Sequence, residues 1–395
     1  MSVLAFYRIV APSVAAIKCG HTAARLEQGI GSAPILPLDV RVLNLKVFVF
    51  HDYSERGSLT GAQIQSINGV EISKILDTML ASVHGDGDSS TAGPSQLERN
   101  FGFARQLYLL CGLESPFQVQ YTLNGKSGKA ALDGLLAARM QTPGGRGVTK
   151  FTLLDGNLAG VLKIAGFRGQ SDTGKPLREF FLDVFTTLHE KNIPNLIVDV
   201  RNNGGGEDDL GKRLFAYMTS EPFPYYRDLI VNKLSFEFAK YSPSPFSMPE
   251  DIKKTMKKGD DGKYHYTGHP NWGTQHPLAP YFAGKVLVLM NGGSFSTTCE
   301  FLSTLHHHHR ATFIGEETGG YYGNTSGMSL PLVLPNSNIV MPMQLTGYYM
   351  AIEGSEHGSR GIPPDIPVEY SIADILAGKD KEMEVALGQI GPARR

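Results

Sequence analysis

Residues 285–307 read KVLVLMNGGSFSTTCEFLSTLHH, and their reading decides the fold. The apolar run 285–290 is strand-sized, Asn291, Gly292 and Gly293 break it, and from Thr297 a helix-forming stretch runs to His307. A strand therefore passes into a helix through a glycine-rich turn. Upstream, residues 196–206 read LIVDVRNNGGG and repeat the device, with a buried strand running into Arg201, Asn202, Asn203 and three successive glycines. A helix is expected to begin near Glu207.

Working outward, residues 176–191 carry apolar side chains at 177, 180, 181, 184, 185 and 188, the spacing of an amphipathic helix feeding the strand 196–200. Before it, Asp155, Gly156 and Asn157 form a turn between strands from 151 and from 158–165. Alternating strands and helices predict an α/β fold with a largely parallel sheet. Toward the N-terminus, residues 1–18 read as an amphipathic helix ending at Cys19 and Gly20, and 29–37 as a linker. Residues 40–50 are strand-like, 64–69 are a strand entering an Asn-Gly turn, and 70–83 have helical spacing. Residues 84–97, rich in Gly, Asp, Ser and Thr, predict a mobile loop, and 241–283, punctuated by prolines, a lid-like insertion. The domain expectation is an N-terminal helical segment over 1–37, a module over 38–145 and an α/β domain over 146–395.

The 37 basic and 38 acidic residues give a formal net charge of −1, so no global field favours nucleic acid or an anionic membrane. No apolar run approaches the roughly 20 residues of a membrane-spanning helix. Three cysteines without Cys-x-x-Cys spacing argue against a disulfide framework or a zinc knuckle. The run His306, His307, His308 and His309 does not read as a metal site, because neighbouring helical residues point about 100° apart.

Ser296 stands where a strand gives way to a helix, a position that exposes a hydroxyl beside free backbone N–H groups. Two readings share it: a nucleophile, or an N-cap at Ser296 or Thr297. The glycines after Asn203 let backbone approach a ligand, making the N–H groups of Gly204 and Gly205, with that of Thr297, candidate oxyanion donors. A phosphate cradle competes, but neither Gly-Lys-Ser/Thr nor Gly-x-Gly-x-x-Gly is present. Among histidines, His21 is the candidate base, since imidazole exchanges a proton near neutrality and triads assemble from distant segments.

Taken together, Asp199, Arg201 to Gly206, then Gly293, Ser294, Phe295, Ser296 and Glu300, then Gly315 to Gly320, then Gly361, Ile362, Pro363, Pro364 and Asp365 resemble the S41, or tail-specific, serine peptidases in order over residues 150–375. Where those enzymes carry a catalytic lysine, this chain has Gly319, Gly320, Tyr321 and Tyr322. The resemblance is thus to the branch containing tricorn-like peptidases and retinoid-binding-protein repeats, with a Ser-His-Glu site. It implies Ser296 as nucleophile, with Ser294 and Thr297 as alternatives, the Gly20-His21-Thr22 segment as source of the base, and Glu356, or else Glu353, as third member. Glu300, Arg201 and Tyr321 are implied as supporting residues.

The same resemblance implies a ClpP/crotonase-like ββα core and a PDZ-like module around residues 64–70 that binds substrate C-termini. Peptide or protein substrates are expected, with no metal or organic cofactor. An extracytoplasmic or periplasmic location follows by family analogy. Relatives often carry further N-terminal helices and an export signal, so a trimmed or mature form is expected. Two rival functions keep the fold: a non-catalytic binder of an apolar ligand, and a crotonase-like thioester enzyme.

Overall fold

The computed structural model describes residues 1–26, 33–55, 57–140, 147–352 and 359–390. Its central sheet has the strand order Ile366–Pro367, Thr312–Gly315, Lys285–Met290, Asn195–Asp199, Gly160–Lys163, Lys150–Leu153. All neighbours are parallel except the last pair, which is antiparallel. The apolar strands follow from burial on both faces. Val286, Val288 and Met290 enter one core with Leu196 and Val198, while Leu287, Leu289 and Ile197 enter a second core against Ala386 and Ile390. Helix Leu177–Glu190 turns Leu177, Phe180, Phe181, Val184, Phe185 and Leu188 into the first core, as its spacing predicts.

Because Asn195–Asp199 and Lys285–Met290 are parallel neighbours, their two glycine-rich turns emerge side by side at the carboxyl edge of the sheet. Helices Asp208–Ala216 and Thr297–His307 follow them.

Among the described residues, two larger antiparallel sheets accompany this unit. One, near the N-terminus, has the path Leu38–Leu43, Lys46–Asp52, Gln63–Ile67, Phe117–Leu123, Lys126–Leu132, and Val70–Glu71 also pairs with Gln63–Ile67. It shares its own core with helices Ile72–Leu80 and Gly102–Leu109 and with Tyr7 and Ala11 of helix Val3–Ala15. The other has the order Met256–Lys258, Tyr264–Tyr266, Tyr226–Val231, Val340–Met350, Asn324–Val333.

Several boundaries differ from the sequence reading. The first helix stops at Ala15 rather than at Cys19, and Lys18 takes a left-handed conformation with φ 55°. Residues 40–50 are not one strand. Asn44 and Leu45 both have positive φ and turn the chain into a hairpin, a conformation Asn tolerates and Leu does not advertise. Residues 241–283 supply two short edge strands to the outer sheet, with Met248 and Phe282 buried. Within 84–97, residues from Ala92 form the start of helix Ala92–Glu98, and the preceding stretch packs on the central unit through Ser89 Oγ to the Thr318 carbonyl and Thr91 Oγ1 to that of Glu317.

Candidate active site

The turn into helix Thr297–His307 and the first two residues of that helix carry four hydroxyls, three of which bond to backbone carbonyls. Ser294 Oγ donates to the Val200 carbonyl at 2.9 Å, Thr297 Oγ1 to that of Gly206 at 2.9 Å, and Thr298 Oγ1 to that of Asn203 at 3.0 Å. These bonds stitch the two glycine-rich turns together. Ser296 is the exception. It occupies the N-cap position, yet its side chain makes no capping bond, and its backbone is held at φ 58°, ψ −129°. A non-glycine residue there is strained by something on the order of 1–3 kcal/mol, a cost met with at functional sites. Its Oγ faces His21 Nε2 at 2.9 Å, across 275 positions of sequence.

His21 lies beyond the first helix, in a segment that owes its position to tertiary contacts. Tyr321 Oη donates to the Lys18 carbonyl at 3.0 Å, Gly20 N–H to Asp86 Oδ1 at 2.5 Å, and Gln344 Nε2 to the His21 carbonyl at 3.0 Å. Arg25 and Val340 exchange both backbone hydrogen bonds. A Cβ on Gly20 would stand 2.5 Å from the Phe295 ring, so only glycine lets the chain pass this close. The imidazole packs on Phe295 with ring centroids 4.6 Å apart, and Ser326 Oγ lies 3.4 Å from its Nδ1. Burial, assisted by His84 nearby, pushes the His21 pKa down to about 4. The ring is neutral at pH 7, the form that accepts a proton.

Of the donors expected around the oxyanion, Gly205 is spent: its N–H donates to Asn203 Oδ1 at 2.9 Å. Its φ of 94° and the 2.7 Å between a hypothetical Cβ there and Ser296 Cβ show the tight approach for which glycine is needed. The N–H groups of Gly204 and Thr297 take part in no hydrogen bond among the described residues. A cavity beside the turn is lined by Gly20, His84, Arg99, Gly204, Gly293 and Phe295, among others.

Arg201 does something other than line this cleft. Its guanidinium binds Asp199, Asp380 and Glu382, clamping the strand end to the C-terminal helix Lys381–Gly388. The motif around 315–320 and that around 361–365 act as braces. Gly319 and Gly320 N–H groups donate to the Ser294 carbonyl, Ile362 N–H to Thr318 Oγ1, Gly361 N–H to Glu317 Oε1, and Phe313 N–H to Asp365 Oδ2. Glu353 and Glu356 lie outside the described residues.

Glu300 sits beneath the site. It is buried, accepting from Tyr226 Oη at 2.9 Å, and the same hydroxyl is 3.1 Å from Asp208 Oδ2. Burial first, then the Asp208 charge, raises its pKa to about 8. The folded state thus binds a proton that the unfolded chain has released above the ordinary value of 4.5, and this group makes stability fall as pH rises from 4.5 to 8. Glu300→Gln is expected to flatten that fall: the melting temperature of wild type minus that of the variant should become more negative between pH 5 and pH 8. A difference independent of pH would contradict a protonated Glu300.

Sequence reasoning missed Asp86 and Arg99. Asp86 is 3% exposed at the back of the His21 segment, and burial raises its pKa to about 6 against the bond from the Gly20 N–H and the pull of the nearby Tyr321 backbone N–H. Arg99 reaches Asn202 Oδ1 at 2.7 Å, and a Cβ on Gly293 would collide with its guanidinium. The signal available for Asp86 was an acid between two glycines beside His84, in a stretch whose composition reads as loop.

The model of peptidase family S41 matches residues 159–368. Among solved structures, mature CPAF complexed with lactacystin is 15% identical with a TM-score of 0.64, the match covering 98% of this chain and 88% of that one. A CPAF mutant is also 15% identical, with a TM-score of 0.65 and coverage of 95% and 85%. At this identity the likeness speaks for the fold, a mixed α/β arrangement shared with those chains. No match is found among curated protein sequences. The family match spans more than half of the chain and includes both glycine-rich turns, Ser296 and the two bracing motifs. The chain belongs to peptidase family S41 and is a serine-type peptidase acting on peptides or proteins.

Proposed function

We propose that the chain cleaves peptide bonds internally through an acyl-enzyme on Ser296, with His21 as the general base. The 2.9 Å contact between His21 Nε2 and Ser296 Oγ carries this reading, since the neighbouring hydroxyls are engaged elsewhere. His21 takes the Ser296 proton as Oγ attacks the carbonyl carbon, then gives it to the leaving amine; water attacks the ester by the reverse route. The N–H groups of Gly204 and Thr297 hold the oxyanion. Glu356, or else Glu353, steadies the imidazolium, which makes this the Ser-His-Glu branch of the family. The core is of the ClpP/crotonase type, with 241–283 as a lid-like insertion, in an extracytoplasmic setting carried over from the family.

Residues 38–145 act as a PDZ-like module that takes a substrate's C-terminal segment as an added strand. The test is a peptide library cleaved by the purified chain, in paired free-acid and amidated C-terminal forms, with products read by mass spectrometry. Internal cleavage with at least a roughly tenfold preference for the free acid, about 1.4 kcal/mol, is expected. A folded chain that cleaves no peptide would overturn the hydrolytic reading, and equal cleavage of both forms would overturn C-terminal recognition.

The low pKa of His21 fixes the sign of the pH dependence. Protonated imidazole cannot accept the Ser296 proton, so kcat/KM is expected to rise with pH through about 4 and to level off below the ordinary value of 6.5. Initial rates across pH 3.5–8 check this; an acid limb at 6.5 or above would contradict a buried, neutral base.

A further inference from the structure

We propose that Cys19, His21 and Asp86 form a binding site for a zinc-class divalent cation, and that its occupation switches the peptidase off. A sulfur, a ring nitrogen and a carboxylate oxygen from these residues lie within 4.8 Å of one another. Thiolate, imidazole and carboxylate are the donors zinc takes, at about 2.0–2.3 Å, so small side-chain rotations would close the set on one ion.

A second observation points to a ligand. Asp86 is almost fully buried, and while its Oδ1 accepts from the Gly20 N–H, its Oδ2 has no hydrogen-bond partner among the described residues. An orphaned buried carboxylate oxygen is costly, and a cation beside it removes the cost. Cys19 is a free, half-buried thiol whose Sγ stands 3.3 Å from Ser326 Oγ. That same hydroxyl is 3.4 Å from His21 Nδ1. With Nε2 committed to Ser296, Nδ1 is the nitrogen on the Cys19 side, and a water or the Ser326 hydroxyl would complete four-coordination.

The chemistry of inhibition follows from the ring. Binding takes the lone pair of Nδ1, displaces the Cys19 thiol proton to solvent and oxidises nothing. The imidazole's remaining proton must then reside on Nε2. An Nε2–H donates to Ser296 Oγ and cannot accept from it, so the nucleophile stays protonated. The ion would have no part in the reaction itself.

The inhibitory half rests on His21 being the base; the binding half does not. The test uses the full chain stripped with a chelator and titrated with Co²⁺ and with Zn²⁺. One ion per chain is expected, with a thiolate-to-cobalt charge-transfer band that Cys19→Ser abolishes, and with affinity at least about tenfold lower in Asp86→Asn. Zinc should stop peptide cleavage by the wild type, a chelator should restore it, and the inhibitory concentration should rise at least about tenfold in either variant that melts cooperatively. A wild type showing no such band, or two variants bound and inhibited at the wild-type concentration, would overturn the site. A cobalt band in a chain that cleaves nothing would support the site and overturn peptide hydrolysis, so the two failures are distinguishable.

Discussion

Replacing Ser296 by alanine is expected to lower kcat for peptide cleavage by on the order of 10⁴–10⁶ while leaving the fold intact. The loss is large because the other hydroxyls of the turn are occupied: Ser294, Thr297 and Thr298 each donate to a backbone carbonyl of the facing glycine-rich turn. The fold should survive because Ser296 Oγ caps no helix N–H. Ser296→Gly separates chemistry from strain. It should be equally inactive yet more stable than Ser296→Ala by about 1 kcal/mol or more, since glycine accepts φ 58°, ψ −129° without penalty. Residual activity near the wild-type level in Ser296→Ala would move the nucleophile elsewhere. A Ser296→Gly variant no more stable than the alanine variant would remove the claim of strain at this turn.

His21→Ala is expected to cost a similar factor, on the order of 10⁴–10⁶ in kcat, with no large change in KM. The base contributes to the transition state rather than to substrate binding, so the loss should appear in kcat. A merely structural histidine would behave differently. Exogenous imidazole should restore part of the activity in His21→Ala, because the cavity left between Phe295, Ser326 and Ser296 is where the ring sat. Activity within about tenfold of wild type, or a variant that loses substrate binding and gains nothing from imidazole, would contradict the assignment.

What could be read in the sequence divides along a physical line. The strand Lys285–Met290 and helix Thr297–His307 came out at their observed bounds, because apolar periodicity and a glycine break are local properties. The strand before the turn 201–206 was read as 196–200, one residue late at each end against Asn195–Asp199. The hairpin at Asn44 and Leu45 was hidden by continuous β-forming residues on both sides of a turn that lacks glycine. The loop expected over 84–97 holds for 84–91 and gives way to helix Ala92–Glu98, and its contacts were hidden for a different reason. Its Asp, Ser and Thr side chains read as solvent-facing, but Asp86, Ser89 and Thr91 spend their polar groups on Gly20, Thr318 and Glu317, partners far away in sequence.

The site divides in the same way. From its turn Ser296 read equally as a nucleophile or an N-cap, and both its preference and that of His21 came through the family likeness, since nothing local distinguishes His21 from a histidine after a helix. Its approach to Ser296 depends on Gly20 passing the Phe295 ring and on the bonds from Tyr321, Gln344 and Asp86. Arg201 belongs to the motif but serves the sheet. Its partners Asp380 and Glu382 follow it by about 180 residues, and no spacing rule brings them together. Gly205 was a reasonable donor by position, yet the Asn203 side chain folds back onto its N–H and leaves Gly204 and Thr297.

The most direct measurement of the central claim is the site and rate of fluorophosphonate labelling, read by peptide mass mapping of the wild type and of His21→Ala. A single phosphonyl adduct on Ser296 in the wild type, slowed at least about a thousandfold in His21→Ala, is the predicted result. An adduct on Ser294 or Thr297, labelling that persists in Ser296→Ala, or a folded wild type that takes no label would contradict it.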